Sequence, residues 1–169
     1  MLALYLTIWI ALALFAVGES RRSLSLPGTR PAHWAWWVFI SGLALAIVHT
    51  LVAFDVVHHW RHADAENSTA MQTEAVFGVA AGWGVYVNYV FLGVWLADAC
   101  WWRAAPQQVR SRAVTWSLRA FYAIIIFNAA VVFAAGIRKI VGILLVSWLA
   151  RVWSASDRLV SSVPSSPRR

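Results

Sequence analysis

The residues best suited to chemistry crowd into one short stretch: Asp55, His58, His59, Arg61, His62, Asp64 and Glu66. Four of the five histidines in the chain fall between residues 49 and 62. On a helix, residues three and four apart share a face, so Asp55, His58 and His62 would stack on one side with His59 at its edge. Two imidazoles four apart plus a carboxylate form a ligand set suited to zinc, iron or copper. Glu74 comes within reach if the next segment returns antiparallel. Asp55, His58, His59, His62 and Glu74 are therefore the candidate metal ligands. The competing reading is a half-solvated polar cap where a helix meets water.

His49 is a separate case. At 1.5 Å per residue it sits about 13 Å deeper than His58, on roughly the opposite helical face. Polar groups at such depth are costly in a membrane and turn toward neighbouring helices. A hydrogen bond to Asn88, near Tyr86 and Tyr89, is the structural expectation. The functional alternative makes His49 an axial haem ligand, the second ligand coming from another copy or subunit.

Asp98 closes the third apolar run and expects Arg103 or Arg119 as an ion-pair partner, a proton-relay carboxylate being the alternative. Asn88, Asp98 and Arg119 are thus structural polar positions. Gly78 and Gly82 form a GxxxG pair that would let another helix approach closely. Thr69 and Gln72 read as a capping box at a helix start. Cys100 is the only cysteine, which excludes an intrachain disulfide, and it reads as a packed or interfacial thiol. No Ser/His/Asp arrangement and no phosphate loop is recognisable.

The elements that must position these groups are apolar. Of 169 residues, 61% are hydrophobic and 12% charged, against roughly 25% charged in soluble domains. The apolar residues come in long runs, about 2–18, 34–58, 75–100 and 118–137, each long enough to cross the hydrocarbon core. Tryptophans mark their ends, among them Trp34, Trp36, Trp37, Trp101 and Trp102. The fold expected is an all-α integral membrane protein, a bundle of four transmembrane helices in one domain over residues 1–160. A further helix at about 140–153 is short for a span and reads as interfacial or as a short fifth crossing. The Ser- and Pro-rich tail, 161–169, is expected to be disordered.

Charge orients the bundle. Residues 19–33 carry Arg21, Arg22 and Arg30, and residues 101–119 carry Arg103, Arg110, Arg112 and Arg119. The loop between runs two and three holds only Arg61. The positive-inside rule then puts loops one and three in the cytoplasm and the N-terminus outside. Thirteen of the 14 basic residues are arginine, which hints at a GC-rich bacterial genome and an inner-membrane address. The net charge of +7 fits anionic headgroups better than nucleic acid, since no basic stripe with interleaved aromatics is present.

The functional expectation is a small subunit or scaffold of a membrane complex, in contact with lipid and with other copies or partner proteins. A transition-metal site at the outer end of the second helix is the added expectation. The two alternatives are a metal-dependent membrane enzyme acting at the outer leaflet and a haem-binding electron-transfer subunit.

Overall fold

The computed structural model of the protein describes residues 2–26, 29–106 and 110–162. Of the tail expected to be disordered, residues 163–169 lie outside the described residues. The chain is an all-α membrane bundle, without strands among the described residues. Its helices are α1 (Leu2–Ser23), α2 (His33–Val56), α3 (His62–Phe77), α4 (Gly84–Ala104), α5 (Arg112–Phe127) and α6 (Ile137–Ser162). A π-helical turn, Asn128–Val132, extends α5. Pro31 and Pro106 lie in connections, where the missing N–H and fixed φ do no harm to a helix.

Four stretches are long and apolar enough to cross a membrane: Ala3–Ser23, His33–Val56, Arg112–Val132 and Ile137–Ser162. Less than half of each is buried inside the protein. Leu6, Ile10, Val48, Ile124, Phe127, Ile143 and Leu144 all remain exposed. Such a perimeter would associate in water and is at home in lipid. Trp34, Trp37, Trp101 and Trp116 are exposed near one end of the bundle, and Trp60 and Trp83 near the other, as interfacial belts require.

The long helices alternate in direction. His49 of α2 reaches the first turns of α1 at Leu4, and the Trp36 indole of α2 donates to the Ala99 carbonyl near the end of α4 (2.9 Å). Arg119 of α5 pairs with Asp157 late in α6. Arg138 of α6 lies over the Tyr5 ring of α1 (4.1 Å), while Trp153 reaches Glu19, so α1 and α6 run parallel. The starts of α2 and α5 and the ends of α1, α4 and α6 therefore share one end, rich in arginine. The His62 segment occupies the other.

Helix bounds differ from the apolar runs in two places. The third run divides: its first residues finish α3, and α4 starts only at Gly84. Gly78 is the left-handed cap of α3 (φ 71°), and Gly82 packs on the Glu66 carbonyl. The GxxxG pair thus builds the α3–α4 turn rather than a helix interface. Thr69 lies inside α3, its hydroxyl donating to the Ala65 carbonyl, so it is no cap. The C-terminal helix is longer than expected, at 26 residues. Arg138 and Lys139 belong to its first turn, and the break lies at Gly136 (φ 60°).

An aromatic core fills the interior. Phe15 meets Phe39 (5.4 Å), Trp95 (5.0 Å) and Tyr122 (4.9 Å), in the tilted and edge-on arrangements that aromatic pairs favour. Gly42 lets α1 approach α2: a Cβ there would stand 2.9 Å from the Ala11 carbonyl and 3.0 Å from Trp95. Gly142 is tighter still, since a Cβ would run into the Ala130 carbonyl. The π turn and α6 meet at that point.

Candidate functional site

The histidine stretch does not form one helical face. α2 ends at Val56, and His59 (φ 47°) and Trp60 (φ 59°) take left-handed conformations that redirect the chain into α3. Left-handed backbone costs a non-glycine residue roughly 1–2 kcal/mol, so local bonds must hold the turn. The Trp60 N–H donates to the Phe54 carbonyl (2.9 Å), and its indole donates to Asp55 Oδ1 (2.9 Å).

Asp55 is thereby committed to Trp60. His58 packs on Phe54, and His59 is exposed in the turn. His62 opens α3, where its ring lies 3.1 Å from the Tyr86 hydroxyl and 3.4 Å from that of Tyr89. Tyr86 donates in turn to Glu66 (2.6 Å). Glu74 is exposed on α3, twelve residues and about 18 Å along the helix from His62. Among the described residues, no group of three or more His, Cys, Asp or Glu side chains is placed to hold a metal ion.

His49 turns toward α1 rather than α4. Its Nδ1 lies 3.0 Å from the Leu4 carbonyl and 3.1 Å from the Thr7 hydroxyl. Asn88 is on the exposed side of α4. The pairing expected between them is replaced by a polar clasp of α2 on α1, and Thr7 supplies what Asn88 was expected to give.

The densest polar structure lies at the arginine-rich end. Asp98, with its side chain wholly buried, receives both Nη groups of Arg22 (2.9 and 3.0 Å). It also receives the Tyr122 hydroxyl (3.0 Å) and pairs with Arg110 (2.5 Å). Arg22 pairs as well with Glu19, between the rings of Phe39 and Trp102 (5.1 Å to each). Glu19 accepts from the Trp153 indole (3.0 Å) and the Ser23 hydroxyl (2.9 Å). One carboxylate thus ties α1, α4, α5 and the loop before α5, and the other joins α1 to α6.

Arg119 extends this network. Buried in α5, it reaches Asp157 (2.9 Å) and Ser156 (3.1 Å) of α6, and its Nε has no hydrogen-bond partner. Asp98 therefore takes Arg22 and Arg110 as partners, while Arg119, expected beside it, serves α6. Burying so many charges is sustainable only because each carboxylate meets guanidinium and further donors.

These groups wall a cavity of about 680 Å³, within the range of small-molecule sites. Arg22, Arg110, Arg112, Arg119 and Arg158 line it against two carboxylates, Glu19 and Asp157, and apolar surface comes from Trp102, Trp116 and Leu118. No protein-family model matches the chain, and no curated protein or solved structure matches it. The site must be judged on its own geometry.

Sequence reasoning missed Glu19, Arg22, Arg110, Tyr122 and Asp157 as site residues. One signal was present: a glutamate and an arginine three residues apart, at the end of an apolar run, form a helix-surface pair. A second lay in Arg112, Thr115 and Arg119, whose spacing puts all three on one face of α5. In the sequence Arg22 and Arg112 read only as loop charge, and Arg119 as a partner for Asp98.

A second hollow, about 520 Å³, lies between α1 and α6 near their starts and is lined by Tyr5, Leu6, Trp9, Val141 and Leu145, with Arg138 beside them.

Proposed function

We propose that the chain is a small binding subunit of a bacterial inner-membrane complex, working through the arginine-lined cavity at its cytoplasmic end. All five long helices cross the bilayer in this reading, with the N-terminus outside. Loops one and three and the end of α6 then face the cytoplasm. The charge distribution supports it: Arg21, Arg22, Arg30, Arg103, Arg110, Arg112, Arg119, Arg151 and Arg158 belong to one end. The other end has Arg61, Arg138 and Lys139. That asymmetry obeys the positive-inside rule, and α6, at 26 residues, is long enough to return the chain to the arginine-rich side.

The observation that carries the functional reading is the cavity itself. Its wall draws on α1, α4, α5, α6 and the connections after α1 and α4, and buried ion pairs hold the helices together there before anything binds. Preorganised charge of this kind suits recognition. The carboxylates in and behind the wall are held in ion pairs, which suits binding better than proton transfer.

Side-resolved labelling tests this. In a Cys100→Ser background, Thr115→Cys puts a thiol in the cavity wall. A membrane-impermeant maleimide should label it in inverted vesicles and leave it untouched in intact cells. Labelling from outside, or from neither side, contradicts the reading.

A further inference from the structure

The cavity holds more cation than its own carboxylates neutralise. Arg22 and Arg110 share Asp98, and Arg119 has Asp157. Arg112 and Arg158 line the same space without an ion pair among the described residues. Arg119, only 6% exposed, spends its Nη groups on Asp157 and Ser156, and its Nε, without an acceptor among the described residues, is itself buried away from the space. Thr115 adds a hydroxyl to the wall, whereas the Ser161 hydroxyl donates to the Asp157 and Arg158 carbonyls. Unsatisfied donors thus reach the space from both α5 and α6.

We infer that this cavity binds a phosphate group through Arg112 and Arg158. A carboxylate presents two oxygens in one plane, which a single arginine fork satisfies. A terminal phosphate presents three oxygens in a tetrahedral array, and donors converging from two helices match that shape. Guanidinium is the side chain best suited to bidentate phosphate contacts. The apolar part of the wall, Trp102, Trp116 and Leu118, would lie against whatever carries the phosphate. The cavity sits at the level of the interfacial tryptophans, within reach of a phosphate on a lipid headgroup or one free in the aqueous phase. Both sources present the same chemistry.

This inference rests on the cavity being open to the cytoplasm, and one experiment separates the two claims. The Cys100→Ser, Thr115→Cys protein is reconstituted in nanodiscs of phosphatidylcholine, with or without phosphatidic acid. Maleimide labelling is followed against added inorganic phosphate, with sulfate-free chloride as the control anion. Labelling at residue 115 should slow several-fold with phosphate or with phosphatidic acid. Protection by the lipid alone assigns a headgroup, and protection by inorganic phosphate assigns a soluble ligand.

Arg112→Gln with Arg158→Gln, both exposed positions outside the buried ion pairs, should weaken protection about tenfold, as loss of charge-assisted hydrogen bonds predicts. The variant should keep the thermal stability of its parent. If residue 115 labels normally but neither phosphate source protects it, or the double variant is protected equally, the inference is overturned and the open cavity stands. If residue 115 does not label at all, both fall.

Discussion

Asp98 shows how much one side chain can organise. Its carboxylate is wholly buried and accepts from Arg22, Arg110 and Tyr122. Removing it leaves Arg110 without its carboxylate and Arg22 with Glu19 alone. Breaking a buried ion pair from one side costs about 3–5 kcal/mol, so Asp98→Ala should lower stability by that order in a detergent unfolding titration. Asn88→Ala, on the exposed side of the neighbouring turns of the same helix, should change it by less than about 0.5 kcal/mol. Equal effects would mean that the network does not hold the bundle.

At this scale the sequence was partly legible. An aspartate in an apolar run demands a cation, and a mid-span histidine demands a polar partner. The partners themselves depend on how each helix is rotated about its axis, which periodicity along one segment does not reveal. Arg22 and Arg110 come from 76 and 12 residues away, and Thr7 stands where Asn88 was expected.

Among the elements, α6 departs furthest from expectation, running 26 residues where a short helix at about 140–153 was expected. Arg138 and Lys139 looked like an interruption because charges usually end an apolar run. They occupy the first turn of a helix that begins after Gly136, and Arg138 lies over the Tyr5 ring. The turn between α2 and α3 was illegible for the opposite reason. His59 and Trp60 adopt left-handed backbone without a glycine to announce it, and the face shared by Asp55, His58 and His62 disappears with the helix that was to carry it.

Close packing gives the element scale its own test. Gly142 meets the Ala130 carbonyl of the π turn, whereas nothing lies within 4 Å of a Cβ at Gly93. Gly142→Ala should destabilise the protein by about 1–3 kcal/mol through overpacking. Gly93→Ala should be neutral, or stabilise by up to about 1 kcal/mol through helix propensity. Thermal unfolding in detergent distinguishes the two, and a reversed order would contradict the α5–α6 contact.

For the whole molecule, the membrane class was readable from composition and run length, because lipid exposure relaxes the need for surface charge. Helices 21–26 residues long rise roughly 32–39 Å, enough to cross the hydrocarbon core. The alternation of α1, α2, α4, α5 and α6 brings the end of α6 back beside the end of α1. The placement of the C-terminal arginines follows from that pairing, which links Trp153 to Glu19 across more than a hundred residues.

In the proposed topology the arginine-rich end, cavity included, faces the cytoplasm and α6 returns the chain to that side. A dual reporter of alkaline phosphatase and a cytoplasm-active fluorescent protein, fused after Ser162, tests it most directly. Fluorescence without phosphatase activity is the predicted result. Phosphatase activity without fluorescence would leave α6 uncrossed or the bundle inverted, and would contradict the account.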